Sequence, residues 1–387
     1  MRARLRHTRA TACYRRVIIL GMLDGRTILA RSRVVRSAAR NAWAVSWLGP
    51  GVERPRPHPS EVVHDAPHAQ LRRFTSSTPT TGRPVLLVPP LAVPATCWDL
   101  RPGQSLAAYL AEGDGQQDRA ARPTYVVDYG DITFADRQLG FEDFACRIVP
   151  DAVRRVSDLH GGGPVHLVGW SLGGTISLLA GSAQPELPIA SITALGTPID
   201  YGLNASARPL RWLDERLGSR VMTAPTALLG GVPAPLVQLV YRGLAPTREL
   251  KKPWFLLSNL ADTETLARSE AIDQFMAAMP GYPGRLYHQM HTRLIVRREL
   301  ATGTVHLGRG VVVELDRLVA PVTLVGSTTD AVASAAAVEA GTRSFPSAAT
   351  MRYVEVSGFS HLGLVAGSAA RHHTWPAVVA QLEAADG

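Results

Sequence analysis

The sequence is short of three things, and each shortage removes a class of protein. Cysteine occurs three times in 387 residues, at Cys13, Cys97 and Cys146. These lie far apart, so they form neither a disulfide framework nor a zinc-ligand spacing. A reduced, cytoplasmic setting is the simplest reading, and no metal or organic cofactor is expected. No apolar stretch reaches the roughly 18 residues that read as a spanning helix, so none is predicted. Lysine is confined to Lys251 and Lys252. The other basic residues are arginine, a bias that fits a GC-rich, alanine-rich coding sequence better than a phosphate-binding design.

Charge is unevenly placed. The net charge is +9, yet residues 1–73 alone carry 15 arginines against 4 acidic residues, a net of +11 that leaves −2 for the remainder. Nucleic-acid recognition needs a basic face on a folded module, and nothing after residue 80 supplies one, so no nucleic-acid partner is expected. The basic arm opens with Arg2, Arg4, Arg6, Arg9, Arg15 and Arg16. Three readings of it stand: a targeting segment, a helix that touches a membrane or lipid granule from the side, or translated sequence upstream of a start at Met22. Residues 50–80, with Pro50, Pro55, Pro57, Pro59, Pro67 and Pro79, read as a loose linker. The expected organisation is an arm and linker over 1–80, a core over 81–197 and 319–387, and a cap or lid over 198–318.

A hydrophobic content of 46% with 19% charged residues describes a chain with a sizeable core. Short β-prone runs occur at Val85–Val88, Tyr125–Asp128, Val165–Val168, Ile189–Leu195, Val322–Val325 and Arg352–Val356. Helical stretches fall between them, Phe141–Leu159 among them. This alternation predicts an α/β fold whose mostly parallel sheet has helices on both faces, with ligands beyond the carboxyl ends of the strands. Residues 198–318 break the alternation and are partly apolar, as a lid over a greasy substrate or a buried helix pair would be.

Gly169-Trp170-Ser171-Leu172-Gly173 is the strongest motif. It stands between a predicted strand and a predicted helix, the setting of a nucleophile elbow. A serine needs a base to take its proton and an acid to orient that base. In this fold the chain order is serine, acid, histidine. Of the 12 histidines, His361 sits in a short loop after the last strand and is the expected base. Asp330 follows the fifth predicted strand and is the expected acid, with Asp200 as its rival. Two backbone N–H groups should stabilise an oxyanion. Leu172 supplies one. Leu91 is the first residue after Val85–Val88 able to supply the other, because Pro89 and Pro90 have no N–H. His166, His288, His291 and His306 lack ligand spacing and read as structural or surface residues.

Further blocks narrow the comparison. Val85-Leu86-Leu87-Val88-Pro89-Pro90-Leu91, Asp99-Leu100-Arg101-Pro102, Gly169 to Gly174, Pro280-Gly281-Tyr282-Pro283-Gly284, Asp330 and His361 occur in that order. Over about residues 84–383 the chain resembles the polyhydroxyalkanoate synthase branch of the α/β-hydrolase superfamily, and the actinobacterial serine hydrolases related to it. The resemblance implies an acyl group passed from a coenzyme A thioester through a covalent acyl-enzyme. Where those synthases carry cysteine this chain has Ser171, and the tryptophan and aspartate expected near Phe275 to Ala278 are missing. A serine ester is open to water, whereas a thiolate suits repeated transfer. The leading expectation is therefore a serine-dependent hydrolase of acyl esters or acyl-CoA thioesters with a medium or long chain. Acyl transfer of the synthase type is the second, and a non-catalytic granule or complex subunit the third.

Overall fold

The computed structural model describes residues 25–46, 49–113, 119–243 and 246–387. Expectations for the arginines before residue 17 and for a start at Met22 fall outside these residues. The described chain divides into two compact units, one drawn from residues 1–52 and 254–266, the other from 53–253 and 267–387.

The smaller unit is built on α1 (Gly25–Ala44). Its anchor is polar. The Asn41 side chain, 1% exposed, donates to Leu260 O at 2.8 Å and to Thr263 Oγ1 at 3.0 Å. A buried carboxamide must find such partners to avoid a desolvation cost of about 1–3 kcal/mol. Among the described residues no helix is long and apolar enough to cross a membrane.

The larger unit is organised by an eight-stranded sheet. Its strands are β1 (Ser60–His64), β2 (Gln70–Phe74), β3 (Val85–Val88), β4 (Thr124–Asp128), β5 (Val165–Trp170), β6 (Ile189–Leu195), β7 (Val322–Ser327) and β8 (Met351–Val356). Their spatial order is β1-β2-β4-β3-β5-β6-β7-β8. From β4 to β8 all neighbours are parallel, while β1 and β2 pair antiparallel. Strands β3, β5 and β7 are buried along their whole length, as expected of parallel strands covered on both faces.

Two sequence expectations are corrected here. The prolines of 50–80 do not make a uniformly loose linker, because residues 60–74 form β1 and β2. Arg72 and Arg73 concealed β2, whose apolar contribution is Leu71 and Phe74, 1% and 7% exposed. The sheet therefore begins ahead of residue 81. Residues 141–159 are not one regular helix either. They run as a short helix α2 (Phe141–Asp143), a π turn over Phe144–Ile148 and then α3 (Val149–Leu159). Pro150 cannot donate to the carbonyl of Cys146, and Gln184 Nε2 occupies that carbonyl instead at 2.8 Å.

Helix α4 (Leu172–Ala183) follows β5 directly and is buried from Leu172 to Ser182. Between β6 and β7 no described residue joins the sheet. That stretch holds α5 (Arg208–Leu217), α6 (Ser219–Leu228), α7 (Ala234–Gly243) and two small antiparallel ribbons. The last helix, α8 (Thr374–Asp386), packs back on the sheet, where Thr323 Oγ1 donates to Gln381 Oε1 at 2.6 Å.

Candidate active site

The turn between β5 and α4 is as tight as the motif requires. Ser171 has φ 53° and ψ −121°, a conformation that side chains rarely adopt. Two flanking glycines make the turn sterically feasible. A Cβ on Gly173 would lie 2.1 Å from Val88 O, and one on Gly174 would lie 2.0 Å from Thr197 Oγ1. Neither contact is compatible with a side chain, so β3, α4 and the end of β6 close on each other only through glycine. The serine backbone is pinned on both sides. Its N–H donates to Leu195 O at 2.8 Å, and its carbonyl accepts from Thr197 Oγ1 at 3.0 Å.

His361 reaches the same spot from the loop after β8. Its Nδ1 donates to Asp330 Oδ2 at 2.7 Å, with the carboxylate side chain fully buried. The imidazole leans on Trp170, ring centroids 5.1 Å apart. Its Cε1 and Nδ1 lie 3.2 Å from where a Cβ on Gly196 would be, so the ring crosses that glycine closely. Gly196 stands between the two residues that hold the Ser171 backbone. Ser171 Oγ and His361 Nε2 share no hydrogen bond in this structure, and such bonds are often long until substrate binds.

The rival acid is committed elsewhere. Asp200 receives two hydrogen bonds from Arg298, at 2.7 and 2.5 Å, and a third from the Gly202 N–H at 2.8 Å. The Arg298 guanidinium chiefly, with the Gly202 N–H, holds its carboxyl below the ordinary carboxylate range despite opposing burial. Gly173, next to Leu172, approaches Val88 and Pro89, the residues that lead to Leu91. Leu172 is the first residue of α4, where N–H groups have no intrahelical acceptor. Leu91 is buried, and its N–H donates to no protein acceptor among the described residues. Ala92 beside it has φ 59°, a strained feature that no sequence signal announced.

A cleft of about 430 Å³ opens at this site, lined by Trp170 and His361 at one end. Ile272, Phe275, Met276 and Met279 give it an apolar wall, while Arg242, Arg248 and Arg268 line it as well. These residues fall in the stretch 198–318 that sequence reading left open between a lid over the site and a buried helix pair, with nothing to single them out as its wall. Two buried polar atoms of the lining, Gln104 Oε1 and Trp170 Nε1, have no hydrogen-bond partner among the described residues.

The remaining histidines serve other contacts. His166, fully buried in β5, meets Ser191 Oγ at 2.8 Å and Asp386 Oδ1 at 3.0 Å. Burial depresses its pKa to about 4, against the opposing pull of Asp386. His291 meets Asp214 at 2.6 Å, His288 meets Thr223 at 3.1 Å, and His306 meets Glu299 at 3.4 Å. Among the described residues no cluster of three or more His, Cys, Asp or Glu could hold a metal ion.

Residues 43–365 match the alpha/beta hydrolase fold family, and the chain belongs to that family. It is similar to the poly(3-hydroxyalkanoate) polymerase subunit PhaC of Haloferax mediterranei, 25% identical over 323 residues, which are 83% of this chain but 63% of that protein. The PhaC subunit of Thiocystis violacea is 21% identical over 83% of this chain and 86% of its own. The esterase RhEst1 from Rhodococcus sp. ECU1013 is 17% identical, with a TM-score of 0.47 over 85% of this chain and 99% of that one.

Proposed function

We propose that the chain hydrolyses esters or thioesters of a medium or long acyl group through a covalent acyl-enzyme. The observation that carries this reading is the 2.7 Å bond between His361 and Asp330 beside the strained Ser171 turn, at the end of an apolar cleft. In the reaction, Ser171 Oγ attacks the acyl carbon while His361 Nε2 takes its proton. Asp330 holds the imidazole in the tautomer that leaves Nε2 free. The Leu172 and Leu91 N–H groups receive the developing oxyanion. The alcohol or thiol leaves with the proton from His361, and water, activated by the same histidine, releases the acid.

A second reading is acyl transfer to a hydroxyl acceptor, favoured by the similarity to the PhaC subunits. The two share every step up to the acyl-enzyme and part over what attacks it. The deciding experiment is a chain-length series of p-nitrophenyl esters and acyl-CoAs, wild type against Ser171→Ala, with products identified by mass. Free acid as the Ser171-dependent product supports hydrolysis. Oligomers or transferred esters move the protein to the second reading. An absence of turnover, with no labelling by a fluorophosphonate, removes both.

A further inference from the structure

Helices α5, α6 and α7 bury few side chains for their length. Each is ten residues long. Among their described residues each buries one side chain, Asp214, Thr223 and Val237 in turn. Leu210 and Tyr241 also pack against the core, but several large apolar side chains face outward. Trp212, Val221, Leu228, Leu229 and Leu239 are exposed, Leu228 by 83%, and Leu250 of the following helix by 82%. Single exposed leucines need no explanation, but large apolar side chains recurring along one segment mark a contact surface.

The charge of the segment selects the occupant. Residues 207–253 carry eight arginines and lysines against three acidic residues, a net of +5. Residues 74–387 together carry −2, so the rest of that stretch stands at −7. Two of the three acids do little to offset the cations, while Glu215 is exposed among them and Asp273, outside the segment, pairs with both Arg248 and Lys252 at 2.9 Å. Asp214 is buried against His291 and Ser219, and Glu249 pairs with Arg248 at 3.3 Å. Arg216 stacks on the exposed Trp212, 3.8 Å from its ring centroid, so cation and aromatic face solvent as one group. Tryptophan and leucine interleaved with arginine is the composition of helices that lie in the headgroup region of an anionic bilayer.

We propose that the segment 207–253 docks on an anionic phospholipid surface, with its leucines and Trp212 in the acyl boundary and its arginines on the headgroups. This assigns surface contact to the α5–α7 segment of the larger unit rather than to the basic arm, and it does not depend on the hydrolase reading. Arg242 and Arg248 belong both to this segment and to the lining of the cleft.

The test is co-flotation of the full chain with vesicles of phosphatidylcholine and phosphatidylglycerol (7:3), against vesicles of phosphatidylcholine alone. Binding is expected to be about tenfold or more tighter to the anionic vesicles and to weaken with added salt. The variant Trp212→Ser, Leu228→Ser, Leu239→Ser removes exposed side chains only, so circular dichroism should be unchanged while vesicle binding falls about tenfold or more. Unchanged binding by a folded variant overturns the proposal and returns the contact to the arm. Equal binding to both vesicle types overturns the charge argument. A concentration-dependent dimer seen by sedimentation, abolished by the same variant without any vesicle binding, overturns the proposal in favour of a second copy. No step requires turnover, so an inactive protein that still floats fails only the functional reading.

Discussion

Ser327, at the end of β7, clasps Phe359 in both directions: its Oγ donates to the Phe359 carbonyl at 2.7 Å and accepts from the Phe359 N–H at 3.2 Å. Thr329 Oγ1 adds a second bond to the same carbonyl at 3.0 Å. The strand end that leads to Asp330 is thereby tied to the loop that carries His361. Ser327→Ala should therefore lower kcat about 10–100-fold through misplacement of the imidazole, with KM little changed. Steady-state kinetics on a p-nitrophenyl ester, with the melting temperature as control, checks this. A parallel rise in KM would point to cleft damage instead.

The two aspartates separate cleanly. Asp330→Asn should cost about 10⁴-fold in kcat, because the amide no longer fixes the correct imidazole tautomer. Asp200→Asn should leave kcat within a few-fold and lower the melting temperature, since it breaks the two-point pair with Arg298. A reversed pattern would reassign the acid.

Gly173→Ala places a methyl 2.1 Å from Val88 O. The strand cannot yield without moving the Pro89-Pro90 turn, so a loss of about 3 kcal/mol or more, or failure to fold, is expected. Denaturant unfolding beside wild type settles it. A stable, active Gly173→Ala enzyme would show that β3 and α4 pack less closely than described.

Acid should weaken the fold through His166. Its usual pKa of 6.5 is depressed to about 4. Between these values the unfolded chain takes a proton that the folded chain refuses, so stability is lost as pH falls from 6.5 toward 4. The loss is at most about 3 kcal/mol. His166→Gln should flatten the melting temperature across that window. A variant with the wild-type slope would place the acid sensitivity elsewhere.

Met276 and Phe275 line the cleft. Met276→Trp should shorten the acyl chain giving the highest kcat/KM, with short esters affected least. The same p-nitrophenyl series measures it, and an unshifted optimum would mean the chain binds along another wall.

What the sequence made legible followed from how uniform the physics was locally. Buried parallel strands are continuous apolar runs, so Val85–Val88 and Ile189–Leu195 were readable to the residue. The Ser171 turn was readable because glycine spacing is a steric demand that leaves a literal pattern. Asp330 and His361 required chain order as well, since nothing local distinguishes them from other loop residues. β1 was hidden because an edge strand tolerates proline neighbours, and β2 because the arginines between its buried Leu71 and Phe74 break the apolar run. The cleft wall at Ile272–Met279 was hidden for a different reason: a helix face that lines a cavity has the same apolar spacing as one that fills a core.

The opposite end of the sheet holds a lock of its own. Asp386 receives Arg122 at 2.6 Å and His166 at 3.0 Å, and Arg83 lies 3.6 Å away. Burial pushes that carboxyl up, yet these partners outweigh it and keep it below its ordinary value. One side chain in the last turn of α8 thus balances a guanidinium buried at the base of the fold. Replacing Asp386 by Ala would strand that charge. The damage would register as a lower melting temperature with the reaction centre untouched, so the fold can be weakened from a side that takes no part in the chemistry.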